Sequence, residues 1–186
     1  DTMVKGTREN IVNSFFSLAA KYPDRSNFSL AEIAHEAGIS RQAIYKNHFN
    51  NSQEILNYIE NSVDDKINAL MARFDPSTND IETYMAEIII PELYEHKLWL
   101  RYLYSTAANP NWRRFLQETY REWLTNNLTI DKGGLPLQEE FINNLLVNST
   151  LAIIESWITQ EVPAPPESFS KQFLQVLRTP LSQFVS

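Results

Sequence analysis

LAEIAHEAGISRQAIYKNHF, residues 30–49, reads as two short helices joined at a tight turn. Ser29 precedes the run and Glu32 follows three residues later, the spacing of a capping box in which the hydroxyl accepts from the first turn and the carboxylate reaches back. Ile33, Ala34 and Ala37 continue at helical spacing. Gly38 ends the helix, because glycine takes the left-handed conformation that a helix exit usually needs. Ile39 is a buried type of residue in the turn, and Ser40 is a second N-cap. A helix starting at Arg41 puts Arg41, Gln42, Tyr45 and Lys46 on one stripe, since i and i+4 are neighbours. Ile44 falls well away from that stripe and can pack on the first helix. Two such short helices cannot bury themselves alone, so a third must support them.

The stripe suits a DNA groove. Arginine can pair with guanine at two atoms, and glutamine with adenine. Tyr45 and Lys46 can reach phosphates, which position a protein without reading sequence. The Ser40 cap leaves backbone amides at a helix N-terminus, another phosphate site. A solvated helical face would show the same four residues in isolation; the helix–glycine turn–helix frame around them favours the groove.

On the N-terminal side, Thr7 can cap a supporting helix with Arg8 in its opening turn. Ile11, Phe15, Leu18, Ala19 and Tyr22 form its apolar stripe, and Pro23-Asp24 stops it. On the C-terminal side, Asn51 and Glu54 form another capping pair. A long helix then carries Ile55, Leu56, Ile59, Val63, Ile67, Leu70 and Met71 to about Arg73. Residues 76–80 are rich in turn formers and mark the start of a larger body. Pro91 predicts a kink or boundary near Ile90. The next helix has Leu98, Trp99, Tyr102 and Leu103 on one face. Asn109-Pro110 marks a boundary, with proline expected in the first turn of the helix that carries Trp112, Phe115, Leu116, Tyr120, Trp123 and Leu124. Gly133-Gly134 lies in a loop. Residues 137–160 are helical and apolar on more than one side, which suggests two packing partners. A last helix holds Phe169, Phe173, Val176 and Leu177, with Pro180 limiting it. Period-2 runs are absent, so the fold class is all-α, with about nine helices.

The 186 residues carry a net charge of −7, which argues against a simple basic nucleic-acid binder. The charge is unevenly divided. Residues 1–52 hold six Lys/Arg against five Asp/Glu, a net +1, and the remainder holds ten against eighteen, a net −8. Affinity for a polyanion must therefore come from placed contacts and doubling of the head, not from a large field. There are no cysteines, which excludes disulfides and thiolate metal sites and fits a cytoplasmic protein. No run is apolar enough for a membrane span. His35, His48 and His96 show no metal-ligand spacing, and neither a Gly-rich phosphate loop nor G-x-S-x-G is present. No enzyme, metal or cofactor is expected. Trp99, Tyr102, Tyr120 and Trp123 could line an apolar ligand pocket, although ordinary core packing would use the same residues.

The string IAHEAGISRQAIYKNHF resembles the DNA-binding signature of the TetR family of transcriptional regulators, roughly I-A-x-x-A-G-V-S-x-x-x-I/L-Y-x-x-F. Ile33, Ala34, Ala37, Gly38, Ile39, Ser40, Ile44, Tyr45 and Phe49 fill it, with Glu54, Ile55 and Leu56 matching the acidic helix start that follows. Two departures stand out. Three residues separate Tyr45 from Phe49 where the pattern has two, and Ser52 stands where a lysine is usual, removing one phosphate contact. The resemblance covers about the first third of the chain. It implies a three-helix helix-turn-helix DNA-binding domain over 1–52, a linker helix over about 52–73 and a helical effector-binding and dimerisation domain over 74–186. It implies DNA contacts from Lys5, Thr7, Arg8, Ser29, Ser40, Arg41, Gln42, Ala43, Tyr45, Lys46 and His48. The last two helices, about 137–160 and 167–179, would pair with their copies, so that two recognition helices meet major grooves about 34 Å apart on a near-palindromic operator. The expected function is a ligand-responsive homodimeric repressor with a small-molecule effector or partner protein. The alternative is an all-α co-regulator that works through protein interaction without direct DNA binding.

Overall fold

The computed structural model of the chain describes residues 2–185, with side chains from Gly6 onward. Its helices are α1 (Thr2–Lys21), α2 (Leu30–Ala37), α3 (Arg41–Lys46), α4 (Ser52–Met71), α5 (81–95), α6 (Lys97–Ser105), α7 (Trp112–Asn127), α8 (Glu139–Ile158) and α9 (Pro166–Arg178), followed by a 3-10 turn at Leu181–Phe184. No strand occurs among the described residues. The fold is all-α, as the absence of period-2 patterning requires. The helices group into two compact units, residues 1–66 with 98–110, and residues 67–97 with 111–186.

In the first unit, α1 starts before Thr7, so Thr7 lies inside the helix and is not its cap. No breaker precedes it, and a lone Gly6 costs only about 1 kcal/mol in a helix. Ile11, Phe15, Leu18 and Ala19 are buried as the stripe requires, while Tyr22 is half exposed. Val12 and Phe16 are buried too, on a second face. Residues 98–110 account for that face. The Tyr102 ring stacks on Phe16 at 5.1 Å, and the Ala107 N–H donates to the Pro23 carbonyl at 2.7 Å. Asn109 donates from its side-chain amide to the Glu60 carboxylate. These residues were expected with the C-terminal body; the pairing partners that bind them to the first unit are remote in sequence. On α6, Leu100, Leu103 and Tyr104 form the buried face and Leu98 is exposed, which corrects the expected stripe.

In the second unit, Pro91 shapes α5. The helix opens at Ile81–Tyr84, capped by Asp80, passes through a π-helical turn at Met85–Ile89 and resumes at Ile90–Glu95. Proline lacks an N–H and its ring crowds the preceding turn, so the ladder must shift there. Within the π turn the Ile90 N–H bonds the Met85 carbonyl. The same pattern one residue on would join the residue-91 N–H to the Ala86 carbonyl, and the Ser170 hydroxyl of α9 donates to that carbonyl instead, at 2.5 Å. Arg178 also reaches α5, 2.8 Å from Glu82. Trp157 is held between rings, 4.1 Å from Phe169 and 6.0 Å from Tyr94, and its indole N–H donates to the Ala164 carbonyl at 2.9 Å. Pro110 lies ahead of α7, not in its first turn, because Asn111 takes the N-cap position. On α8, Val147, Ile154, Trp157 and Ile158 are buried, whereas Phe141, Leu145 and Leu146 are exposed.

Candidate nucleic-acid interface

The site is built from two capped helices. Ser29 accepts from the Glu32 N–H at 3.2 Å while its own N–H donates to the Glu32 carboxylate at 2.9 Å, completing the capping box. Gly38 takes φ 66°, with its N–H on the His35 carbonyl and the Ile39 N–H on the Ala34 carbonyl. That pair of bonds is a Schellman ending. Ser40 then caps α3 by accepting from the Ala43 N–H at 3.1 Å. Ile44 is fully buried, which fixes the roll of α3 about its axis. Arg41, Gln42, Tyr45 and Lys46 are consequently exposed, and Ala43 is half-buried beside them. Arg41 donates to the Tyr45 hydroxyl at 3.1 Å, joining two of the four along the outer edge.

The extra residue between Tyr45 and Phe49 is absorbed at His48, which takes φ 66°. The His48 N–H bonds the Tyr45 carbonyl and the Phe49 N–H bonds the Ile44 carbonyl, so α3 ends in a second Schellman turn. Buried Asn47 supports the turn by donating to the Ala43 carbonyl at 2.8 Å. His48 is exposed just beyond the outer edge of α3. Ser52, where a lysine was expected, lies near Asn27 with 3.4 Å between the side-chain oxygens. Asn51 accepts from the Glu54 N–H at 2.9 Å, while the Glu54 carboxylate takes the N–H of Asn50, one residue earlier than a capping box would require.

Charge on this face is sorted by pairing. The Glu32 carboxyl is held below the usual range by the Ser29 N–H first, then by Arg25 and the Ser29 hydroxyl. The Glu36 carboxyl is likewise lowered, by Lys21 first and then Ser17. Among the described residues no carboxylate pairs with Arg41 or Lys46, so the outer edge of α3 is cationic although the chain is acidic.

The remaining candidates are placed as follows. Lys5 lies outside the described side chains. Thr7 is half-buried on α1. Arg8 lies with its guanidinium over two rings, 5.8 Å from the Phe49 centroid and 5.6 Å from that of Tyr58, and its Nε is buried without a hydrogen-bond partner. Arg8 thus ties α1 to the turn that follows α3 and to α4. Nothing local in the sequence marks Tyr58 as a ring that meets so distant an arginine. The four aromatics considered for a ligand pocket divide between the units. Trp99 and Tyr102 pack against Phe16 in the first. Trp123 packs 5.9 Å from Phe74 in the second, where Tyr120 is half-buried.

The family match falls on a different part of the chain from the motif. A TetR family model described as "Transcriptional regulator C-terminal region" matches residues 82–179, which include none of the motif residues. The fold is similar to that of a TetR transcriptional regulator from Streptococcus agalactiae 2603V, at 19% identity and a TM-score of 0.56, over 96% of this chain and 97% of that one. No curated protein matches. No helix among the described residues is long and apolar enough to cross a membrane.

Proposed function

From the premise that this chain belongs to the TetR family of transcriptional regulators, we propose that it is a homodimeric, ligand-responsive repressor that reads a near-palindromic operator with α3. One observation carries this reading: buried Ile44 anchors one side of α3, and Arg41, Gln42, Tyr45 and Lys46 lie exposed on the other. Arg41 and Gln42 read bases, while Tyr45, Lys46, His48 and the amides at Ser40 hold phosphates. Ser29, Ala43 and Thr7 border that contact, Lys5 extends it, and Arg8 braces it. The exposed Phe141, Leu145 and Leu146 of α8 support self-association, since apolar side chains of that size gain from being covered. The dimer sets two reading helices one turn of duplex apart. An effector in the body shifts the population toward a state whose heads no longer match that spacing, by binding the two states with different affinity. The protein works by binding in the cytoplasm, not by catalysis.

Selection of bound fragments from random duplex DNA tests this. The expected product is a pair of inverted half-sites about one helical turn apart. Arg41→Ala and Gln42→Ala should relax sequence preference, and Lys46→Ala should weaken all sequences alike. Leu145→Glu should give a monomer with weaker binding to the paired site. Selection of no sequence, with all three α3 variants behaving like the parent, would overturn the reading and favour a co-regulator acting through protein contacts.

A further inference from the structure

Inside the first unit, α1 and α6 leave an open cavity of about 490 Å³, within the range of small-molecule sites. Its apolar lining is Phe16 and Ala20 from α1 with Leu98, Trp99 and Tyr102 from α6. The Phe16 and Tyr102 rings are stacked with 18° between their planes, and the Trp99 ring lies 6.2 Å from that of Phe16. Ala20 leaves space that a larger side chain on the same helix face would occupy. Leu98 is 64% exposed, so this apolar lining is open to solvent.

The polar lining restricts the charge of an occupant. Lys21 lines the cavity, but its ammonium is bonded to both Glu36 oxygens at 2.7 Å. Ser17 donates to the same carboxylate at 2.6 Å. The one cation in the lining is already paired, so a charged occupant would have to compete with that pair for a counter-charge. Asn13 also lines it and is exposed, so its side-chain amide can both donate and accept there. We infer that this cavity is a binding site for a neutral, flat aromatic molecule carrying a single hydroxyl, carbonyl or amine. The aromatic plane lies against the partly exposed Trp99 and Tyr102 rings, where offset stacking adds to area burial, and the polar group meets Asn13. Every residue lining it belongs to the unit that carries α3.

The test uses N-phenyl-1-naphthylamine, a neutral aromatic amine that brightens in apolar surroundings, titrated into the full chain without DNA. Ala20→Phe fills the cavity from an exposed helix position, and Leu98→Asp places a charge in its lining. Leu181→Asp changes an 82% exposed apolar side chain outside the cavity and serves as the control. The expected result is saturable brightening in the parent and control, weakened at least tenfold by Ala20→Phe and severalfold by Leu98→Asp. Absence of saturable binding in the parent would overturn the inference, as would parent-like affinity in Ala20→Phe, which would place the dye elsewhere. Should Ala20→Phe lose its cooperative melt, Leu98→Asp decides on the same terms. Because the readout involves no DNA, failure here leaves the repressor reading intact, and failure of that reading leaves this one intact.

Discussion

His48 carries a left-handed backbone of φ 66°, the same value found at Gly38, but without glycine's freedom to adopt it. A side chain in that conformation costs about 1 kcal/mol. Histidine at 48 therefore trades stability for an exposed imidazole at the end of α3. His48→Gly should raise folding stability by up to about 1 kcal/mol, after allowance for the extra chain entropy that glycine brings to the unfolded state. Urea midpoints measure this, and a lowered midpoint would mean that the imidazole supports the fold. If the ring holds a phosphate as proposed, the same variant binds all duplexes more weakly while melting higher, a combination that a purely structural role would not produce. Glu32 supplies a second residue-level prediction. Its carboxyl is lowered by the Ser29 N–H and by Arg25, so its stabilising contribution is present above the ordinary glutamate range and lost as pH falls through the lowered folded value. Glu32→Gln should destabilise the protein at pH 7, and progressively less as falling pH protonates the parent carboxyl. A loss that does not change with pH would assign the effect to the bonding geometry and not to charge.

Among the elements, α5 shows most directly how a single residue is accommodated by a distant one. Pro91 removes the N–H that would meet the Ala86 carbonyl, and the Ser170 hydroxyl of α9 takes its place. Ser170→Ala should then cost about 1–2 kcal/mol, the penalty for leaving a partly buried carbonyl unsatisfied. Pro91→Ala restores an N–H to the chain. In that background Ser170→Ala should cost much less, with a coupling of about 1 kcal/mol in the double-mutant cycle. Additive losses across the four proteins would show that the hydroxyl does not stand in for the missing N–H. This element also marks the boundary of what the sequence makes legible. Pro91 announced a disturbance near Ile90 because the clash is local, but Ser170 could not be paired with Ala86 from spacing. The same division runs through the reading unit. Ser29, Gly38, Ser40 and Ile44 could all be assigned because caps and helical stripes depend on near neighbours. The left-handed turn at His48 could be noticed only as one residue too many. Arg8 over Tyr58, and residues 98–110 packed on Phe16, depend on chain segments brought together by the whole fold. Thr7 shows the same limit: a plausible cap does not start a helix when the residues before it can also be helical.

At the scale of the whole molecule, the central quantity is a net charge of −7 on a protein proposed to hold a polyanion. With Glu32 tied by Arg25 and Glu36 by Lys21, the cations left to meet phosphate on α3 are few. The salt dependence of DNA binding should therefore be set by a small number of placed contacts, each contributing a slope of about −0.9 in log affinity against log salt. This makes the slope a count of heads. Lys46 occurs once per chain, so removing it from a single-headed complex flattens the slope by about 0.9, whereas removing it from a dimer on a paired site flattens it by about 1.8. The dimeric reading predicts the larger value for Lys46→Ala, measured by fluorescence anisotropy on the selected duplex over a range of potassium concentrations. It also predicts that the difference falls to about 0.9 when Leu145→Glu is placed in both proteins, since each complex then carries one head. A difference near 0.9 with and without Leu145→Glu would mean that one copy suffices and that α8 does not join the heads. No difference in either background would remove Lys46 from the phosphate contacts and, with it, the cationic edge of α3 from the interface.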